Sequence, residues 1–115
     1  MTAQYDLTIQ QGATYRRTFR WLADGDPVSL TGFVARMQIR RSVRAPEVIV
    51  SATTENGRLT LNAPAGEVSL ELPASVTAAI TARTGVYDLE LEDAGGVVTR
   101  LVEGAVEFVP EVTRD

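Results

Sequence analysis

At 115 residues, 44% of them hydrophobic, the chain is sized for one domain (residues 1–115) that buries a core without disulfides or metals. It contains no His and no Cys, which removes the side chains most used for proton transfer near neutral pH, thiol nucleophilicity and soft-metal ligation. A formal charge of −4 argues against general nucleic-acid binding, no stretch approaches the roughly 20 apolar residues that span a bilayer, and the opening Met-Thr-Ala-Gln-Tyr-Asp lacks the regions of a signal peptide, so neither nucleic acid nor membrane is an expected partner and synthesis in a cytoplasm is expected.

Tyr5, Leu7 and Ile9 alternate with polar residues and predict a first strand. After a break at Gln11-Gly12, Tyr15, Phe19 and Trp21 share a face opposite Thr14, Arg16, Thr18 and Arg20. Arg17 interrupts the apolar side, as a residue near a strand end, in a bulge or beside an acid would. Ala23-Asp24-Gly25-Asp26-Pro27 is a turn, because Asp-Gly tolerates positive φ and Pro sets its own. Val28 and Leu30 predict a short strand ending at Thr31-Gly32. Phe33, Ala35, Met37 and Ile39 then alternate with Val34, Arg36, Gln38 and Arg40, one face buried and one wet.

Residues 41–46 form a polar connection closed by Pro46, and residues 48–53 a further strand. Asn56-Gly57 predicts a hairpin turn returning into Leu59 and Leu61. Beyond a break at Ala63-Pro64-Ala65-Gly66, Val68, Leu70 and Leu72 alternate with Glu67, Ser69 and Glu71. Residues 73–82 are the one helical candidate, with Ser75 as cap, Val76 and Ile80 on one face, and Gly85 as its end. Tyr87, Leu89 and Leu91 face inward against outward Asp88, Glu90 and Glu92. A turn at residues 93–96 leads to a long strand over residues 97–109, in which Gly104 suggests a bulge or kink, and residues 111–115 are expected to fray. About eight strands at such even spacing indicate a β-sandwich or barrel.

Charge is unevenly spread. All 11 basic residues are Arg, which a GC-rich coding bias explains more simply than selection for bidentate pairing. Residues 1–45 carry a net +4 and residues 46–115 a net −8. Asp88, Glu90 and Glu92 read as a solvated strand face or as a ladder opposite Arg16, Arg20, Arg36 and Arg40, rather than as a glycosidase pair. The Arg cluster from Arg36 through Arg41 to Arg44 reads as an exposed strand face plus a loop before it reads as a phosphate site. Asp24-Gly25-Asp26 lacks the further oxygen ligands of a calcium loop, and without His no serine has its usual base. No cofactor is implied, and the chain reads as a non-enzyme. The candidate interaction surface is Arg16, Arg20, Arg36, Arg40, Arg41, Arg44, Asp88, Glu90 and Glu92.

Several stretches carry a family likeness: Tyr5-Asp-Leu-Thr-Ile-Gln-Gln-Gly-Ala-Thr-Tyr15, Phe19-Arg-Trp21, Asp26-Pro-Val-Ser-Leu-Thr-Gly32 and Ala35-Arg-Met-Gln-Ile-Arg40. Val68-Ser-Leu-Glu-Leu-Pro73, Thr77-Ala-Ala-Ile80 and Val86-Tyr-Asp-Leu-Glu-Leu91 continue it. Over residues 4–110 the chain resembles small structural proteins of tailed bacteriophages and prophages, similar to the N-terminal domain of baseplate upper proteins that tether receptor-binding proteins. Ser29 departs from the Asp commoner in that family's Asp-Leu-Thr-Gly turn, which weakens one capping contact. The resemblance implies a virion component. The expected fold is an immunoglobulin-like antiparallel β-sandwich of roughly eight strands with one short helix. The expected role is anchoring a fibre or receptor-binding protein at the tail tip, collar or baseplate, or decorating the capsid, in symmetric multi-copy contact with other virion proteins. A carbohydrate-binding module using Trp21 or Tyr87 is the alternative from another class.

Overall fold

Period-two apolar spacing decides which side of each strand is buried, and two stacked sheets follow from it. The computed structural model describes residues 2–114. In chain order the elements are β1 (Ala3–Gln4), β2 (Leu7–Gln10), β3 (Tyr15–Arg20), β4 (Leu22–Ala23), β5 (Asp26–Pro27), β6 (Val34–Arg40), β7 (Val50–Thr53), β8 (Leu59–Asn62), β9 (Glu67–Leu72), α1 (Ala74–Ala78), β10 (Thr84–Glu92) and β11 (Val98–Val109). β1 and β2 both lie against β11, which continues through β10 and β6 to β7 as the larger sheet. β3, β9 and β8 form the smaller sheet, and β4 with β5 a separate hairpin. Leu7, Ile9, Met37, Ile39, Leu89, Leu91 and Phe108 from the larger sheet share one core with Tyr15, Phe19, Leu59, Val68, Leu70 and Leu72 from the smaller. The protein is the nearly all-β sandwich with one short helix that the alternation implies, and β6, β9 and β10 bury the residues expected of them.

Most neighbouring strands run antiparallel. β1 and β2 are the exception, running parallel to β11 with Ala3 opposite Val102 and Leu7 opposite Val106. Alternation sets a strand's two faces and is silent on its neighbour's direction. The chain passes Gly104 between β1 and β2, so closely that a Cβ there would land on the Tyr5 carbonyl. Gly104 therefore admits a crossing backbone rather than a bulge. The register slip in β11 lies elsewhere, where Leu89 faces Val102 but Glu90 faces Arg100.

Asn56-Gly57 does not close a hairpin. β7 pairs with β6 and β8 with β9, so this turn carries the chain from one sheet to the other. A type I′ turn needs positive φ at both central residues; here only Gly57 has it, at 79°. Asn56 Oδ1 instead accepts the N–H groups of Thr53 (2.9 Å) and Arg58 (3.0 Å), while its Nδ2 donates to Ser51 O at 3.1 Å. The positive-φ pair sits at Asp24 (53°) and Gly25 (84°), which close the β4–β5 hairpin. Residues 28–30 make no strand: Leu30 is buried and bonds Ala63 O through its N–H, and Ser29 Oγ accepts the Thr31 N–H at 3.4 Å.

The helix is one turn shorter than its apolar spacing suggests. α1 has five residues, Pro73 rather than Ser75 precedes it, and no side chain caps it. Gly85 does not end it but lies inside β10 opposite Val106, where a Cβ would come within 2.8 Å of Arg40 O. Thr77, to which the apolar spacing gives no role, is the buried polar residue of the core among the described residues: its hydroxyl donates to Ala13 O (2.8 Å) and accepts the Gly12 N–H (3.1 Å). α1 thereby pins the corner at which β2 passes into β3. Residues 111–114 carry no regular element, and Asp115, within the segment expected to fray, lies outside the described residues.

Tyr87 is buried, and its hydroxyl donates to the Tyr5 carbonyl. Burial pushes its phenol well above the usual tyrosine range. The folded state therefore holds this proton longer than the unfolded chain does. Stability from Tyr87 is fully present below about pH 10 and is lost as pH rises beyond it, by up to about 1.4 kcal/mol per pH unit. Urea unfolding across that alkaline window should show this slope, and Tyr87→Phe should remove Tyr87's share of it while costing about 1 kcal/mol at neutral pH.

Candidate functional site

The outward side chains of the larger sheet form a polar surface that the strand register arranges in rows. Glu92 stands between Val34 and Val98, Glu90 between Arg36 and Arg100, and Asp88 between Gln38 and Glu103. Thr53 and Ser51 extend two of these rows onto β7. The Glu90 and Asp88 rows, together with Gln4, Asp6 and Val43, border an open trough of about 790 Å³.

Ion pairing in and beside the trough runs diagonally between strands and along β11. Arg36 bonds Glu92 at 2.7 Å, and this bond together with the Glu92 charge raises the Arg36 pKa further. Arg100 reaches Asp88 at 3.5 Å and Glu103 at 3.2 Å. Arg40 donates to Gln38 Oε1 (2.8 Å) and to the carbonyls of Ala45 (2.7 Å) and Pro46 (3.1 Å), which ties the 41–46 connection to the sheet. The Glu90 carboxylate, flanked in register by two arginines, has no hydrogen bond or ion pair among the described residues, because both neighbours turn to other acids.

The nine candidate residues do not form one surface. Arg36, Arg40, Asp88 and Glu90 line the trough, and Glu92 stands beside it, paired with Arg36. Arg16 and Arg20 lie on the smaller sheet, where they pair across the strands with Glu71 (3.1 Å) and Glu67 (2.6 Å), and Thr18 bonds Ser69 between them. A ladder of Arg16 and Arg20 opposite Asp88, Glu90 and Glu92 is thus absent: those residues belong to different sheets. Arg41 and Arg44 stand exposed in the connection, with no ion pair among the described residues. Arg16, Arg20 and Arg36 each join the basic N-terminal half to the acidic C-terminal half, so part of the charge asymmetry is spent inside the chain. Exposed pairs of this kind contribute at most about 1 kcal/mol each.

The aromatic rings are engaged internally. Phe19 meets Tyr5 edge-on at 6.5 Å and Tyr87 at 6.4 Å, and Trp21 is half-buried, edge-on to Phe33 at 6.1 Å. Arg17 stacks its guanidinium 5.2 Å above the Tyr5 ring, so its partner is an aromatic face rather than an acid. A hydrogen bond to the Tyr15 hydroxyl raises its pKa. Asp24 and Asp26 belong to the hairpin turn, and among the described residues no three acids gather where a metal could sit.

Three structural residues escaped the sequence pattern. Asn56 carried a hairpin signal for a turn it does not make, Gly104 a bulge signal for a backbone crossing, and Thr77 only a place in the family-like stretch Thr77–Ile80, which assigns it no partner.

No family model and no curated protein matches the chain. Among solved structures it is similar to the crystal structure of CopC from Methylosinus trichosporium OB3b, with a TM-score of 0.50 and 13% identity over 95% of this chain and 90% of that one. At that identity the likeness extends to the β-sandwich and no further.

Proposed function

We propose that this protein is a non-enzymatic assembly module of a tailed-phage or prophage particle, docking other virion proteins through its sandwich exterior. The supporting observation is the trough on the larger sheet. Its charged side chains are held in place by one another on a hydrogen-bonded scaffold, so little side-chain entropy remains to be lost when a partner covers them. Glu90 at its centre keeps a free carboxylate for a donor on that partner. The resemblance over residues 4–110 points to the tail tip, collar or baseplate, where the protein would anchor a fibre or receptor-binding protein. Symmetric repetition would make individually weak contacts collectively strong. The sugar-binding alternative has less to stand on, because Tyr87 is buried at 4% exposure and Trp21 packs against Phe33.

The test is an electron-microscopy map, with mass spectrometry, of particles purified from the strain that carries the gene. The expected result is this sandwich as ordered density at the tail end, with its larger-sheet face covered. Density on the capsid shell would select decoration instead, and absence from the particles would overturn the proposal. Glu90→Arg places a third arginine beside Arg36 and Arg100. It should lower incorporation at least tenfold while costing only about 1–2 kcal/mol of stability, measured by urea unfolding of the purified variant.

A further inference from the structure

The edges of the two sheets differ in how they are closed. On β7, Asn56 occupies the outward Thr53 N–H, and Asn56 with Arg58 the outward Ser51 carbonyl, so a further strand finds those groups taken. β3 edges the smaller sheet and is six residues long. Trp21 N–H bonds Gly66 O, so by the antiparallel alternation Phe19, Arg17 and Tyr15 bond β9, while the N–H and C=O groups of Arg16, Thr18 and Arg20 point away from it. No side chain among the described residues bonds those outward groups. The side chains of Arg16, Thr18 and Arg20 are exposed, and Arg16 uses only its Nε–H on Glu71.

The neighbour β3 already has shows what a second neighbour needs. Across from Arg16, Thr18 and Arg20 stand Glu71, Ser69 and Glu67: acid, hydroxyl, acid at every second position. The same pattern recurs in this chain as Glu111, Thr113 and Asp115. In the described part of that segment no strand forms, and Val112 is 94% exposed. A second β3 would not serve, since antiparallel pairing about Thr18 sets Arg16 opposite Arg20.

We propose that residues 111–115 of one copy add as a strand to the free edge of β3 in a second copy, with Thr113 beside Thr18 and the two acids beside Arg16 and Arg20. A parallel direction keeps Arg114 away from Arg17 and sets Val112 on the side facing Tyr5, which is 44% exposed. The contact is heterologous: each copy offers one edge and one segment, so copies join head to tail and close into a ring or continue as a filament. This deepens the assembly reading by naming a second copy of the chain as one partner.

Sedimentation velocity of the 12.4 kDa chain over a concentration series tests it. The full chain should show a mass that grows with concentration and falls with salt. Thr18→Pro, which removes an outward donor, and deletion of residues 111–115 should each give a monomer. A mixture of these two variants should give a one-to-one complex and nothing larger, because one keeps the segment and the other keeps the edge. Asp115→Arg, which leaves the Glu111 carboxylate in its place against Gly12, should also give a monomer. A full chain that stays monomeric, oligomers that survive either single variant, or a monomer whose amides at residues 112–114 are protected from hydrogen exchange would each overturn the proposal. A failure here leaves the particle map free to succeed, since partner docking on the larger sheet does not use β3.

Discussion

Thr77→Val should destabilise the protein by about 2–4 kcal/mol, although it keeps the branched outline of a side chain with 0% exposure and exchanges only a hydroxyl for a methyl. The hydroxyl serves two backbone groups in the corner between β2 and β3, and an unmatched donor or acceptor costs about 1–3 kcal/mol. Valine leaves both the Gly12 N–H and the Ala13 carbonyl without this partner. Thr77→Ser separates the polar contribution from packing: it keeps the hydroxyl and loses one methyl, so it should cost only about 1 kcal/mol. Urea unfolding of the three proteins decides the matter. If valine and serine cost the same, α1 does not hold this corner through hydrogen bonds.

Gly104→Ala should cost about 3 kcal/mol, a large loss for one methyl group on an intermediate-exposure residue. The new Cβ would occupy the place of the Tyr5 carbonyl, so β1 must retreat from β11. Three bonds go with it: Tyr5 N–H to Glu103 O, the Tyr87 hydroxyl to Tyr5 O, and Ala105 N–H to Asp6 Oδ1. At about 1 kcal/mol each these set the estimate, and a domain of this size should melt roughly 10 °C lower. Scanning calorimetry is the measurement. A melting point within about 2 °C of the parent would mean that the chain crosses Gly104 with room to spare.

The strands were legible wherever one face is buried and the other wet. Residues 34–40, 67–72 and 84–92 are such segments, and a shift of one residue would turn each hydrophobic set outward, so the alternation leaves little freedom. What failed was everything set by a distant partner. Asn56-Gly57 has the composition of a tight hairpin, but the strands on either side find better mates in separate sheets, and the asparagine is used to bridge Thr53, Arg58 and Ser51. Gly85 and Gly104 both looked like local punctuation and are instead sites of close backbone approach, one to Arg40 and one to Tyr5. The charged rows were visible as faces but not as pairs. Nothing local says that Arg16 and Arg20 meet Glu71 and Glu67 while Arg36 meets Glu92, because those matches are written in the strand order.

β1 and β2 have β11 as their ladder neighbour, distant in sequence; Thr2 bonds Arg100 across 98 residues. During translation at about 5–20 residues per second, the opening strands must wait roughly 5–20 s before their mate exists. Leu7 and Ile9 stay uncovered for that interval, so the nascent chain passes through a period in which it is open to chaperone capture and to pairing with the wrong neighbour.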